Sequence, residues 1–433
     1  MSNAFSPLRH APFRNLFFSG LISMIGDGVW LVAIPWIIID IGGGPDELAA
    51  AVGAESVGLV LFVLAGGALA DRYPRTRVVV FAHLAAFVTL ALLVVAHLAS
   101  QLQVWQLTAA AFVLGASAAV SGPALDAMTP DLVPEKDLHA ANALDTVLRN
   151  VVLRLGGPAL GGTLVAVFGS LTVIALNAAS FALAAVFAGR VVPLHSRGAD
   201  DDNAEKVSYA KALSYLASQR WLWILIAWAG LLLLLQTGPR SVLLPFLIHD
   251  DLHGGPRSYG LVLISFGVAA TMSSLWVASR PLPRRYPLLM LLAWTISALP
   301  LAGMAFAPSI LVLLLLGIVF GFFSAAGNVY WSTLVQTRVP DNVRGRIISI
   351  DWLGSLVLVP ISMTLAGIGG ARHFGTWLFV IGGLGPVLLT LIVLRYVDFR
   401  AIEREDSDGG GRSPESAEFD PSADLLEAPG VKD

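Results

Sequence analysis

The sequence contains no cysteine and little charge, and each shortage removes a class of function. Without a thiol there is neither a disulfide framework nor a thiolate metal site. Charged residues fill 13% of the 433 positions, against about 25% in soluble domains, too few to clothe a water-exposed surface. Lysine is nearly missing. Only Lys136, Lys206, Lys211 and Lys432 occur, none beside a phosphate-type glycine loop, and no Gly-x-x-x-x-Gly-Lys-Ser/Thr run is present, which argues against an ATP-hydrolysing pump in the same chain. The eight histidines form no ligand-spaced cluster. No enzyme, resident metal or cofactor is visible, and nothing suggests nucleic acid.

What the chain does have is apolar length. With 56% hydrophobic residues and a mean hydropathy of +0.75, it belongs in lipid. A helix needs about 20 apolar residues to cross roughly 30 Å of hydrocarbon, and twelve such runs are found, at 17–39, 48–70, 78–98, 104–125, 141–168, 171–190, 221–248, 259–279, 287–306, 310–334, 347–369 and 376–397. They are long and continuous and lack the ten-residue alternation of barrel strands, so helices are expected. The first run contains Asp27 and no small-residue cleavage site, unlike a cleavable signal.

The expected architecture is an all-α membrane protein of twelve transmembrane helices in two six-helix bundles. The first bundle occupies residues 1–190 and the second 221–400. Between them, 191–220 forms a cytoplasmic linker in which Tyr209, Leu213 and Leu216 mark the apolar stripe of a surface helix. Residues 401–433, rich in Asp, Glu, Ser, Gly and Pro, read as a disordered acidic tail.

Arginine and lysine orient the whole. If the N-terminus is cytoplasmic, all but five of the 27 basic residues fall in even-numbered loops and tails. Arg257 and Arg372 lie outside, and Arg149, Arg154 and Arg240 fall within spans. Both termini are therefore expected in the cytoplasm. The net charge of −3 says little, because the acidic tail offsets a basic cytoplasmic face.

The halves repeat each other. Ile34-Pro35-Trp36-Ile37-Ile38-Ile39-Asp40 matches Leu244-Pro245-Phe246-Leu247-Ile248-His249-Asp250, and Val133-Pro134 matches Val339-Pro340. Six spans separate equivalent positions, so the repeats are parallel, and a midplane site between them is expected. The loop Gly66-Gly67-Ala68-Leu69-Ala70-Asp71-Arg72-Tyr73-Pro74-Arg75-Thr76-Arg77 has a worn copy at Ser279-Arg280-Pro281-Leu282-Pro283-Arg284-Arg285, which keeps the charge but puts Ser279 where Asp71 stands.

That loop resembles the signature of major facilitator transporters. Residues 8 to 400 as a whole resemble the enterobactin exporter and macrolide efflux branch of that superfamily, with similarity to actinobacterial multidrug tetracycline and aminoglycoside pumps. The likeness rests on Gly26-Asp27-Gly28, Ile34-Pro35-Trp36, the loop, Pro130-Asp131-Leu132-Val133-Pro134 with Ala141-Asn142-Ala143-Leu144, and Val339-Pro340-Asp341-Asn342-Val343-Arg344-Gly345-Arg346. Gly157-Pro158-Ala159-Leu160-Gly161-Gly162 resembles the superfamily's antiporter motif, although the motif's leading glycine falls at Leu153. The resemblance implies proton-driven export across the plasma membrane of a bacterium. It also leaves a gap, since relatives often carry a basic residue after the span-four Pro-Ala, where this chain reads Pro123-Ala124-Leu125-Asp126.

Charges inside spans are the candidate machinery, because a central charge costs about 2.5–3.5 kcal/mol on insertion scales. Asp27, about 20 Å beyond Arg14 at 1.5 Å per residue, stands near mid-depth and can bind a proton on one side and release it beside a cation. Arg154 is its candidate counter-ion, either movable or as a static pair. Glu55 reads as a cavity or interfacial carboxylate, and Arg149 as a partner of Asp145 or an interfacial group. By the repeat, Thr237 falls at the place of Asp27 and Arg240 at that of Trp30, so Gln236, Thr237 and Arg240 are expected to face one cavity with Trp30, Tyr330 and Trp331. In the loop, Gly67 permits close helix approach, Asp71 is expected to meet the start of span eleven near Arg344, Arg346 and Ser349, and Arg72, Arg75 and Arg77 to hold acids or lipid phosphates. These readings point to a monomeric exporter of small organic molecules (drugs, antibiotics, a siderophore or a secondary metabolite), driven by proton antiport and working in the lipid bilayer. An importer or uniporter of the same fold and a non-transporting ligand sensor stay open.

Overall fold

The computed structural model describes residues 5–192 and 209–399; the tail 401–433 and most of the linker ahead of residue 209 lie outside the described residues. Every regular element among them is a helix. In the first half these are α1 (Ala11–Asp40), α2 (Pro45–Arg72), α3 (Arg75–Leu98), α4 (Val104–Leu132), α5 (Glu135–Val151) and α6 (Gly157–Gly189). The second half contains α7 (Tyr209–Ser218), α8 (Arg220–Gly238), α9 (Leu244–Phe246), α10 (Pro256–Ala278), α11 (Tyr286–Met304), α12 (Ile310–Arg338), α13 (Asp341–Val357), α14 (Val359–Ala371) and α15 (Gly375–Tyr396). Ten helical stretches among the described residues are long and apolar enough to cross a membrane.

The helices outrun the apolar runs that announce them. Helix α1 has 30 residues, about 45 Å at 1.5 Å each, and α4 continues to Leu132 through Pro123 and Pro130. Its last turns carry Asp126, Thr129 and Asp131, so hydropathy does not register them although the helix continues. Gly169 (φ 78, ψ 161) interrupts α6, a left-handed turn open to glycine. Short π segments, Val152–Gly156 and Pro239–Leu243, join α5 to α6 and α8 to α9.

Two sequence expectations change. The run 347–369 is two helices, because Pro360 in the first turn of α14 cannot donate to the preceding turn and the chain breaks at Leu358. The helix at Tyr209–Ser218 exists, and Leu216 is half-buried on it as expected; Leu213, however, is exposed, the Tyr209 side chain lies outside the described residues, and the buried face is Ala212 and Tyr215. The tyrosine hydroxyl fixes that face by donating to the Arg338 carbonyl at 3.2 Å.

Corresponding loops in the two halves are built alike. Gly43 N–H donates to Ile38 O at 2.8 Å and Gly254 N–H to Ile248 O at 2.7 Å. Each is followed by an extended glycine, Gly44 (φ −105, ψ −172) or Gly255 (φ −105, ψ −171), ahead of a helix-starting proline, Pro45 or Pro256. Proline fits there because the first helical N–H has no partner in any case.

The halves share one apolar core at the end bearing these loops. Val29, Val32, Trp36 and Ala49 pack with Leu243, Leu244, Ile248, Tyr259 and Met304, and the Trp36 and Tyr259 rings stack at 5.6 Å. At the opposite end the core divides. Phe13, Leu16, Val79, Met128 and Leu132 form one cluster in the first half, and Ala212, Tyr215, Leu222, Val339 and Ile347 another in the second.

Candidate functional site

The glycines of α1 set the position of Asp27. A Cβ on Gly28 would lie 2.6 Å from the Gly157 Cα, and one on Gly161 3.1 Å from the Val29 Cα, so α1 and α6 meet nearly backbone to backbone. Gly26 likewise faces Asn177 and Ser180. With both neighbours of Asp27 pressed against α6, the 100° step per residue carries the carboxylate off that contact and toward the second half. Asp27 is exposed, and it lines a cavity of about 60 Å³ with Trp30, Leu31, Val52, Glu55, Ser241 and Tyr259. Two carboxylates therefore share a chamber with room for a few waters. The Trp30 indole, itself buried, donates to Glu55 Oε2 at 3.3 Å.

The second half supplies the facing wall. Gly238 N–H donates to Ser362 Oγ at 2.7 Å, and that hydroxyl donates to Leu234 O at 2.6 Å. This clamp fixes α8 on α14 just before the π segment, in which Pro239 removes one donor and the winding presents Arg240 and Ser241 to the interior. The Arg240 guanidinium lies 5.2 Å from the Phe320 ring centroid. Arg240, Ser241, Tyr259, Pro158, Ser324 and Asn328 line a chamber of about 360 Å³. A third, of about 500 Å³, is lined by Gln236, Thr237, Arg240, Trp294, Asn328, Trp331 and Asp351. Leu31, Ser241 and Tyr259 are common to the first two chambers, and Arg240, Phe320, Ser324 and Asn328 to the second and third.

Asp27, Glu55 and Trp30 thus gather on one side, and Gln236, Thr237, Arg240 and Trp331 on the other. Gln236 Nε2 and Thr237 Oγ1 are buried with no hydrogen-bond partner among the described residues. Tyr330 departs from expectation. It is buried between α10, α11 and α12, because one residue along a helix from Trp331 turns it by 100° to the far face. Asp351 is the residue that sequence reasoning missed. It accepts from the Trp331 indole at 2.9 Å, and the signal for it was an acid inside the apolar run 347–369.

The Gly157 to Gly162 element touches two neighbours. Gly157 and Gly161 face α1, whereas a Cβ on Gly162 would meet Pro256 O at 2.9 Å and the Gly260 Cα at 3.1 Å, across the boundary between halves. In the loop between α2 and α3, Arg75 donates to Ala127 O at 2.9 Å and to Asp131 Oδ2 at 3.4 Å, tying the start of α3 to the end of α4. Arg72 and Arg77 are exposed. The surroundings of Gly67 and the side chains of Asp71, Arg149 and Arg154 lie outside the described part of the structure.

A second polar contact was not expected. Ser6 Oγ donates to Asp137 Oδ1 at 2.6 Å, and the His10 ring lies 3.0 Å from Asp137 Oδ2, so the N-terminal turn is pinned to the start of α5. The Ser6 hydroxyl, then the His10 ring, hold the Asp137 carboxyl below its ordinary range.

Comparison with known proteins gives a consistent answer. The family model described as transmembrane secretion effector matches residues 2–419. The multidrug efflux pump Tap of Mycolicibacterium fortuitum is 25% identical over 374 residues, covering 83% of this chain and 89% of Tap. The enterobactin exporter EntS of Shigella dysenteriae serotype 1 is 27% identical over 403 residues, covering 89% of this chain and 93% of EntS. The crystal structure of the nucleoside transporter NupG superposes with a TM-score of 0.66 at 13% identity, over 89% of this chain and 98% of NupG, which speaks to fold alone.

Proposed function

The chain belongs to the transmembrane secretion effector family of major facilitator transporters, multi-pass membrane proteins rather than enzymes, and from that premise we propose that it exports small organic molecules by proton antiport and alternating access. One observation carries the reading. Among the described residues the apolar core shared by the halves lies at one end, and three chambers that share lining residues, two of them walled from both halves, carry the carboxylates of Asp27, Glu55 and Asp351.

The ten long helices, with α2 added and α6 divided at Gly169, make twelve spans. The paired loops favour two parallel six-helix repeats related as in other facilitator folds. Basic residues in the even-numbered loops favour cytoplasmic termini in a bacterial plasma membrane. The sealed end is then extracellular, and the cavity opens inward. The two larger chambers, about 360 and 500 Å³, suit a drug-sized ligand, for which pockets of roughly 300–1,000 Å³ are usual. Multidrug efflux by Tap and enterobactin export by EntS support the same substrate class and an outward direction.

In the proposed cycle, substrate enters from the cytoplasm against Trp294, Trp331 and Asp351. A proton reaching the Asp27–Glu55 chamber from outside neutralises one carboxylate and changes the field that Arg240 and the substrate experience across the shared wall. The protein works as a monomer in the bilayer, with the proton as its coupling ion.

In proteoliposomes, Asp27→Asn is expected to abolish efflux driven by a pH gradient while substrate counterflow persists. Unchanged gradient-driven efflux would remove Asp27 from proton coupling, and uptake driven by the same gradient would reverse the assigned direction.

A further inference from the structure

Outside the central chambers, α10, α11 and α12 enclose a second space. Helix α10 packs tightly on α12 around Gly317 and Gly321, where an added Cβ would collide with Phe266. Beyond that contact the helices diverge toward the loop 279–285. The gap is a groove of about 930 Å³, walled chiefly by apolar side chains including Trp276, Leu289, Leu292, Phe322, Phe323 and Val329. It shares no lining residue with the central chambers. Trp276, Leu289 and Leu292 are exposed on its walls, so it opens to the side of the bundle.

The mouth of this groove is cationic. Arg280 lines it together with Pro281, Leu282 and Pro283, and its guanidinium sits 4.5 Å from the Trp276 ring centroid. Arg284 and Arg285 follow, both exposed. Among the described residues no carboxylate forms an ion pair with any of the three. The repeat makes the contrast plain. In the first half Arg75 is engaged by Asp131 and Ala127 O, but the position equivalent to Asp131, aligned through Val133-Pro134 and Val339-Pro340, is Thr337. Its hydroxyl meets the Tyr286 hydroxyl at 3.1 Å. The charge kept in the worn loop therefore has no acid among the described residues to satisfy it.

We propose that this groove binds one anionic phospholipid, with acyl chain lying between α10, α11 and α12 and phosphate held by Arg280, Arg284 and Arg285. The apolar walls favour a hydrocarbon chain over a polar solute, because buried CH₂ groups gain by leaving water while a polar solute would lose hydrogen bonds. Three guanidiniums without a carboxylate partner at the membrane surface favour an anionic headgroup over a zwitterionic one, and clusters of arginine at this level are suited to such headgroups. A bound lipid of this kind would brace α10, the helix that meets Gly162 across the boundary between halves.

Native mass spectrometry of the full chain tests this, with phosphatidylglycerol and phosphatidylcholine of identical acyl chains titrated separately. One tightly retained phosphatidylglycerol is expected, at least tenfold tighter than phosphatidylcholine. Replacing all three arginines (R280Q, R284Q, R285Q) is expected to weaken it by about fivefold per arginine removed. Leu292→Trp, which fills the groove and leaves the charges intact, is expected to displace it as well and serves where the triple variant fails to fold. Equal affinity for the two lipids, retention in either variant, or full competition by deacylated glycerophosphoglycerol would overturn the proposal.

Discussion

Gly162→Ala puts one methyl group into the seam between the halves, and its consequence can be worked through. The new Cβ would lie 2.9 Å from Pro256 O and 3.1 Å from the Gly260 Cα. Both neighbours are backbone, so no side chain can swing aside and α6 or α10 must move. Overpacking of this kind costs about 1–3 kcal/mol. The cost falls only on the arrangement in which this end is closed, since the methyl has free space once α6 and α10 separate. A bias of that size multiplies the population open at this end by about 5 to 150. The absence of cysteine makes the assay direct. Ala49 is buried in the shared core at the same end, and Ala49→Cys supplies a thiol that maleimide reaches only when the end opens. Labelling of A49C is expected to accelerate by that factor when G162A is added, with unchanged thermal stability of the first half. Unchanged or slower labelling in a folded G162A protein would refute the idea that this contact holds the end shut.

Two further outcomes follow from side chains that the sequence did not single out. Asp351→Asn keeps the Trp331 contact but removes the charge from the 500 Å³ chamber, so binding of a cationic substrate should weaken about tenfold or more, the loss expected for a charge-assisted contact, while a neutral substrate is little affected; calorimetry on the two ligand types decides it. Asp137 concerns pH. Its carboxyl is held below the ordinary 3.8, so its contribution to pinning the N-terminal turn is complete above that value and is lost as pH falls through the lowered one; a spin label at Phe5→Cys should gain mobility over that acid window in the parent chain and be mobile at pH 7 in Asp137→Asn.

Much of the fold was legible because hydrocarbon imposes length and apolarity on each span. The twelve runs fall on helices α1 to α6 and α8 to α15, and errors arose where local chemistry outweighs hydropathy. Leu358 breaks a continuous apolar run because Pro360 lacks an N–H, and α4 continues through Pro123 and Pro130 in a polar stretch. Leu213 misled because the linker helix buries its small Ala212 and its hydrogen-bonding Tyr215, with the expected Leu216 half-buried beside them. For the site, Asp27 could be identified as a charge within an apolar span, and Arg240 followed from the repeat. Which face a neighbour such as Tyr330 presents depends on helix rotation, and no periodicity was sharp enough to fix it in spans that are apolar all round.

The two indole–carboxylate contacts explain how the cavity keeps its charge usable. Trp30 with Glu55 joins α1 to α2, and Trp331 with Asp351 joins α12 to α13. They are not copies of one another, since the repeat carries Trp30 to Arg240. The same device therefore serves each half from a different pair of helices. An arginine in the place of either tryptophan would neutralise the carboxylate and bind it through two parallel hydrogen bonds, leaving little for a proton or a cationic ligand to gain. An indole offers one uncharged N–H. It holds one oxygen, leaves the other without a bond from the indole, and adds an aromatic wall against which a flat organic molecule can stack. Arg240, held over Phe320, borders the chamber of Asp351 and, across Ser241 and Tyr259, that of Asp27 and Glu55. In the proposed cycle a change of protonation on one side would alter the field at a substrate on the other, which is the physical minimum that coupling two ligands through one cavity requires.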